Sequence, residues 1–200
     1  MEIIDLNEEF VPAGSGVERS KASETGLIHL TDVIKFIDKK LEINDYSSVK
    51  WDMSVTAEVG FLWEQVLEDA FGSAFGGRVG IRPGEIELDG IVGSPDGVNE
   101  DPLGRYPIVD EEYKCTWKST KNNILDHWYY MTQFKSYCKM LGVCVTVVKI
   151  IYLMGDYRGS GPIYKAYRIE FTERELEENW SMIRNHAEEM RSKGIWKVSI

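Results

Sequence analysis

Apolar residues at three- and four-residue spacing predict two helices in the first part of the chain. The first begins near Leu30, with Thr31 as its N-cap, and ends before Asn44. The second runs from residue 53 to about residue 72. Its apolar stripe includes Val59, Leu62, Trp63 and Val66. Gly60 interrupts this helix, which predicts a close approach there by another backbone or a ligand.

Alternation of apolar and polar residues predicts the strands. Residues 85–93 alternate and predict one strand with a solvated face, followed by a turn at residues 94–97. A loop over residues 99–107 joins it to a central strand at residues 108–117. The β-branched run at 143–153 is typical of a strand buried on both faces, and residues 163–171 predict its partner.

Two more helices complete the predicted elements. One extends from about Ile124 to Leu141 and is ended by Gly142. The last opens with a capping box that begins at Thr172 and runs to about Ser192. The order α-α-β-β-α-β-β-α predicts an α/β protein. Residues 1–25 are polar without a clear period and are expected to form a flexible arm, with residues 26–200 as one domain.

The central strand carries charged residues where a buried strand normally carries apolar ones. Because side chains alternate between the faces of a strand, Glu112 and Lys114 share one face. Asp96 in the preceding turn presents another carboxylate, although on its own it is most simply an ordinary turn residue. Two carboxylates and one ammonium that converge suit a hard divalent cation and a water held by the lysine.

The order Pro95-Asp96, a spacer, then Glu112-x-Lys114 resembles the PD-(D/E)xK nuclease superfamily. Upstream, residues 60–64 (Gly-Phe-Leu-Trp-Glu) resemble the first motif of its YqaJ-like and lambda-exonuclease-like branch. Downstream, Gln133-x-x-x-Tyr137 resembles the motif that follows Glu-x-Lys in RecB-like and YqaJ-like nucleases. Apart from the resemblance, Glu64 is either a solvated residue or a ligand at the rim of the core, and Gln133 and Tyr137 are most simply exposed and packed helix residues.

The resemblance implies a restriction-endonuclease-like core, in which a mixed central β-sheet is flanked by α-helices and the metal site lies at a splayed strand pair. It implies that Asp96 and Glu112 bind Mg²⁺ or Mn²⁺ together with the carbonyl group of Tyr113. Glu64 is implied to bind the metal directly or through water. Lys114 is implied to position the attacking water and to stabilise the charge that develops on the phosphate.

The resemblance also implies the substrate. Gln133 and Tyr137 are implied to orient Lys114 or the nucleic-acid end. The implied function is that of a DNA exonuclease of the phage-recombination type, acting on linear double- or single-stranded DNA. An endonuclease or resolvase on the same core is the alternative. A third possibility is a catalytically silent nuclease fold that acts only as a binding module. The complete acid–acid–lysine set argues against it. A homo-oligomer and a single-strand annealing partner stay open, and no iron–sulfur cluster is expected.

The charge of the chain opposes a simple basic nucleic-acid surface, since the net charge is −10. The objection weakens if the acidic residues lie away from the site, because the electrostatic field near the site, and not the net charge, determines how strongly DNA is attracted there. The lysines expected around the site are Lys114, Lys118, Lys121, Lys135 and Lys139. Lys118 and Lys121 either contact DNA phosphates or are ordinary loop residues. Three cysteines without paired spacing favour reduced thiols in a cytoplasmic protein. The lack of a long apolar run predicts that the chain does not span a membrane.

Overall fold

The computed structural model describes residues 25–44, 58–60, 62–63, 65–66, 81–156, 158–159 and 161–198. The predicted N-terminal arm therefore lies outside the described residues except for Thr25. Much of the predicted helix at residues 53–72 also lies outside them, and its described residues between 58 and 66 are helical. Glu64, the implied metal ligand, is among the residues that are not described.

The helices and strands of the described chain fall into an α/β arrangement. The helices are α1 (Leu30–Leu41), α2 (Trp128–Leu141) and α3 (Glu173–Ser192), with a 3₁₀ turn at Ile124–Asp126 before α2. The strands are β1 (Ile28–His29), β2 (Ile86–Leu88), β3 (Ile91–Gly93), β4 (Gly97–Asn99), β5 (Val109–Thr116), β6 (Val145–Tyr152) and β7 (Ile163–Glu170).

The larger sheet is mixed, with the strand order β4-β5-β6-β7. β5 and β6 are parallel, so the chain must cross from one end of the sheet to the other between them, and α2 lies in that crossover. β4 and β7 pair antiparallel on the two outer sides. A smaller sheet has the order β1-β3-β2. The mixed sheet flanked by helices confirms the predicted fold class.

Two apolar cores cover the helical side of the molecule. The first lies among α1, α3 and the small sheet, and includes Ile34, Ile37, Trp180 and Ile183. The second lies between α2 and the large sheet, and includes Phe134, Cys138, Val148 and Ile150. All eight residues of β6 are buried, which confirms the prediction of a strand covered on both faces.

The start of the first helix differs from the prediction. The N-cap is His29 and not Thr31, and α1 already begins at Leu30. The physical reason is β1, a two-residue strand that the sequence did not predict. His29 is extended because it pairs with Val92 of β3, so the helix begins at the next residue.

The predicted single strand at residues 85–93 is also wrong, because this segment is a hairpin. Asp89 and Gly90 both have positive φ values, of 54° and 72°, and form a two-residue turn between β2 and β3. Asp-Gly is a preferred pair for such a turn because glycine adopts positive φ without steric cost. The sequence pattern did not reveal the turn, because apolar and polar side chains alternate on both sides of it. The predicted turn at 94–97 is shorter than expected, since Gly97 already opens β4.

The last two helices agree with the prediction, except that α2 begins at Trp128 and not at about Ile124, because residues Ile124–Asp126 form a separate 3₁₀ turn. Gly142 follows α2 with a φ value of 70°, and its N–H donates to the carbonyl of Lys139. Thr172 and Glu175 form the predicted capping box at the start of α3. The apolar stripe predicted for the helix at residues 53–72 agrees less well with the structure, because Leu62 and Val66 are exposed.

In the described helices nothing is both long and apolar enough to cross a bilayer. Cys115, Cys138 and Cys144 form no disulfide.

Two glycines differ in what surrounds them, and this gives a test of the packing. A Cβ added to Gly93 would lie 2.8 Å from Cε1 of Tyr137 and 3.1 Å from Sδ of Met140. Gly93→Ala should therefore destabilise the protein by about 1–3 kcal/mol, because it overpacks the contact between β3 and α2. Urea unfolding measures this difference.

Gly60→Ala is the matched control. No described heavy atom lies within 4 Å of a Cβ added there, so the close approach expected at Gly60 is not seen in the described part of the chain. The change should leave stability the same or raise it by up to about 1 kcal/mol, since alanine favours a helix more than glycine. Equal stabilities for both variants would contradict a close contact at Gly93.

Candidate active site

Three of the predicted site residues lie together at β5. Lys114 Nζ donates a hydrogen bond of 2.6 Å to Oε2 of Glu112 and one of 3.3 Å to Oδ2 of Asp96. The Glu112 side chain has no solvent exposure, whereas those of Lys114 and Asp96 remain 14% and 17% exposed. The ammonium group therefore lies between two carboxylates in a site that solvent reaches from one side.

Asp96 lies in the turn immediately before β4 and is held in place by a hydrogen bond to β5. β4 pairs with β5 only from Gly97 to Asn99, so the edge of β5 beyond Glu111 faces the turn that carries Asp96. Oδ2 of Asp96 accepts a 2.8 Å hydrogen bond from the backbone N–H of Tyr113. Since the N–H and C=O of one strand residue point to the same edge, the Tyr113 carbonyl faces the edge where Asp96 lies.

Burial and neighbouring charges shift the pKa values in this site. Burial, followed by the charge of Asp96, raises the pKa of Glu112 well above its usual range, although Lys114 opposes the shift. Burial alone would lower the pKa of Lys114, but Asp96 and Glu112 outweigh it and raise that pKa well above its usual range. The lysine is therefore held in its charged form by the two carboxylates.

Asp110 is a further acid at the site that the sequence analysis did not single out. Its side chain is fully buried, and Oδ2 accepts a 2.8 Å hydrogen bond from the hydroxyl of Thr146. Burial raises the pKa of Asp110 to about 8, although the Thr146 hydrogen bond opposes this shift and the charge of Asp96 adds to it. The signal was present in the sequence, because residues 110, 112 and 114 alternate onto one face.

The Gln133-x-x-x-Tyr137 motif lies on the buried face of α2. Both side chains are buried, and Nε2 of Gln133 donates to the Tyr137 hydroxyl over 3.3 Å. Burial raises the pKa of Tyr137 well above its usual range, and the charge of Glu112 raises it further. The structure therefore brings this tyrosine close to the acid–lysine cluster, with the glutamine behind it.

The other predicted lysines do not form one basic surface at the site. Lys118 lies 3.2 Å from Nδ1 of His127, and the described hydrogen bond of Lys121 is from its backbone to Ser119. Burial lowers the pKa of Lys118. The expectation that Lys135 and Lys139 surround the site is wrong, because their described contacts are with Phe171 and Glu177 near α3.

The opposite face of β5 carries a second polar cluster. Glu111 forms a buried ion pair with Lys149 of β6, and its Oε1 accepts a 2.5 Å hydrogen bond from the Tyr113 hydroxyl. Nδ2 of Asn99 donates to Oε2 of Glu111 over 2.9 Å. Trp63, from the helical residues between β1 and β2, packs against the apolar cluster of Tyr113 and Ile151. The cluster joins β4, β5 and β6 directly behind the candidate site.

The donor set at Asp96 and Glu112 fits a divalent metal. Carboxylate oxygens are the ligands that Mg²⁺ and Mn²⁺ prefer, and a carbonyl at the same edge extends the set. Within the described ranges, no three histidine, cysteine or acidic side chains are close enough together to hold one ion. Glu64, the implied third carboxylate, is outside those ranges. The described chain thus supplies two of the three carboxylates that the resemblance implies.

Comparison with solved structures finds proteins that share this fold. An alkaline exonuclease from Laribacter hongkongensis, LHK-Exo, superposes with a TM-score of 0.55 at 17% identity, over 86% of this chain and 91% of that chain. Its complex with dAMP gives a TM-score of 0.56 at 16% identity over the same shares. The structure of SSO0001 gives 0.51 at 17% identity, over 89% of this chain and 79% of that chain.

No protein-family model matches the chain, and no curated protein matches it either. At the identities of the structural neighbours, the likeness establishes the fold. The chain therefore shares its fold with the alkaline exonuclease structures, over most of both chains.

The polar cluster behind the site can be tested by a double-mutant cycle. Lys149→Met should destabilise the protein by about 3–5 kcal/mol, because it leaves Glu111 charged, buried and without its ammonium partner. The double variant Glu111→Gln/Lys149→Met should recover a large part of this loss, because no unpaired charge remains. Urea unfolding of both single variants and the double variant measures the coupling. Additive losses would contradict an energetically coupled pair.

Proposed function

We propose that this protein is a divalent-metal-dependent deoxyribonuclease that hydrolyses phosphodiester bonds, and that it acts as an exonuclease. The observation that carries the proposal is the convergence of Asp96, Glu112 and Lys114 where the turn before β4 meets β5. The shared fold with the Laribacter exonuclease supports it. A silent binding module has no evident need for a buried acid–acid–lysine set.

The roles of the residues follow from their chemistry. Asp96, Glu112 and the Tyr113 carbonyl would hold Mg²⁺ or Mn²⁺, and Glu64 would complete the set directly or through water. When bound, such an ion activates a water molecule and neutralises charge on the scissile phosphate. Lys114 would hold the attacking water between the two carboxylates and stabilise the negative charge that develops on the phosphate.

The DNA would approach from the exposed side of Asp96 and Lys114. Tyr137 and Gln133 are buried, so they would act mainly by holding Lys114 and Glu112 in position. Lys118 and Lys121 are exposed and would contact the phosphate backbone. The complex of the Laribacter exonuclease with dAMP makes a deoxynucleoside monophosphate the product to look for. A homo-oligomer, a single-strand annealing partner and a role in phage recombination belong to the same proposal.

The first test is degradation of DNA by the purified protein. With Mn²⁺ or Mg²⁺, linear DNA should be converted to mononucleotides, and EDTA should stop the reaction because it removes the cation. Labelling each end of single- and double-stranded substrates in turn measures polarity and strand preference by gel electrophoresis.

Closed circular DNA is the control in this assay, because it offers no end. An exonuclease should leave it intact. Cleavage of the circle while linear DNA survives would contradict the exonuclease and favour the endonuclease alternative. No cleavage of either substrate with either metal would reject the nuclease proposal.

The second test separates the chemistry of Lys114 from metal binding. Lys114→Ala should reduce cleavage at least 100-fold, because it removes the group that holds the water and stabilises charge. Its Mn²⁺ affinity should be unchanged or higher, because Lys114 no longer neutralises Asp96 and Glu112. Isothermal titration calorimetry measures the affinity, and circular dichroism checks the fold.

Lys197→Ala is the matched control, since Lys197 is exposed in the segment after α3. This variant should cleave DNA and bind Mn²⁺ like the wild type. A folded Lys114→Ala variant with normal cleavage would remove Lys114 from the proposed reaction, and an unfolded one would show that its role is structural.

A further inference from the structure

Asp110 has a buried oxygen for which the described structure supplies no partner. Its Oδ2 accepts the Thr146 hydrogen bond, but Oδ1 has no hydrogen-bond partner among the described residues. The side chain is entirely buried. Leaving a carboxylate oxygen buried without a partner is costly, so such atoms in native proteins usually bind an ordered water or an ion.

The position of Asp110 relates this oxygen to the candidate metal site. Asp110 precedes Glu112 by two residues on the same strand, so the two side chains lie on the same face of β5. Asp110 pairs with Thr146 across the parallel ladder to β6. In the described chain, the carboxyl groups of residues 96, 110 and 112 interact electrostatically with one another and with the ammonium group of Lys114. A bound cation would stabilise the ionised form of these acids, as Lys114 does.

The described structure gives Asp110 no direct place beside an ion held by both Asp96 and Glu112. No three acidic, histidine or cysteine side chains in the described chain can hold one ion together, so Asp110 cannot share an ion directly with both Asp96 and Glu112. A water molecule can extend the reach of a carboxylate to a cation and costs little free energy when it is held by several polar groups. Acids in such a position commonly affect metal affinity by 10–100-fold.

We propose that Asp110 is a positioning residue for the divalent cation, acting through a water held by its Oδ1, and that the Thr146 hydroxyl fixes the orientation of the Asp110 carboxylate. The inference rests on the proposed metal-dependent nuclease function, because it assigns a further residue to the same site. It differs from a purely structural role, in which Asp110 would only link β5 to β6 through Thr146.

The test is calorimetric titration of the metal-free full-length protein with Mn²⁺ alone, in the absence of DNA. Asp110→Asn should weaken binding about tenfold or more. The reason is that Thr146 would then donate to the amide oxygen, which turns the amide nitrogen, a donor, toward the position of the water. Asp38→Asn is the matched control, because Asp38 is also a buried aspartate but lies in α1. It should bind Mn²⁺ like the wild type.

A second pair of variants keeps the test decisive if Asp110→Asn does not fold. Thr146→Val removes the hydroxyl donor and should weaken Mn²⁺ binding about threefold, whereas Thr146→Ser keeps the donor and should restore it. Thermal unfolding of each metal-free variant identifies a purely structural effect, which lowers stability without changing affinity.

The outcomes separate the two proposals. Wild-type affinity in folded Asp110→Asn, or in both Thr146 variants, would overturn the role of Asp110 and leave the nuclease proposal standing. Absence of Mn²⁺ and Mg²⁺ binding by the wild-type protein would overturn the metal-dependent function, and the role of Asp110 with it.

Discussion

The ammonium group of Lys114 is the interaction on which the candidate site depends. It bonds to Glu112, which is fully buried on the same strand, and to Asp96, which belongs to a turn between two different sheets. Without this cation the two carboxylates would repel each other in a poorly solvated environment. The lysine therefore connects the turn to the strand and keeps both acids in place.

The sequence predicted the core of the site because its signals are local. Glu112 and Lys114 share a strand face by simple alternation, and a Pro-Asp-Gly turn presents Asp96. Asp110 was not singled out, because an acid in a strand is as easily a solvated residue, and only the three-dimensional structure shows it buried beside Thr146. The sequence also predicted α2, α3 and β6, since capping residues and continuous apolar runs mark them clearly.

The errors in the fold have a common physical origin in short elements with long-range partners. β1 has two residues and is defined by its pairing with β3, which lies about sixty residues away in the chain. The Asp89-Gly90 turn interrupts an alternation that continues on both sides.

The positions of the lysine side chains also depend on tertiary contacts. Lys139 and Lys40 pair with Glu177 and Glu189 of α3, and so balance part of the acidic charge of that helix.

The placement of charged side chains on both faces of β5 has a consequence for folding. Glu111 faces Lys149 and Glu112 faces Lys114, so β5 contributes few apolar side chains to direct its pairing. Its register depends on β6, whose residues are all buried and which also carries Lys149 and Thr146. A chain that has not yet placed β6 lacks the partners that align β5. We therefore expect β5 to acquire its final register late in folding, after the apolar layer beside it has formed.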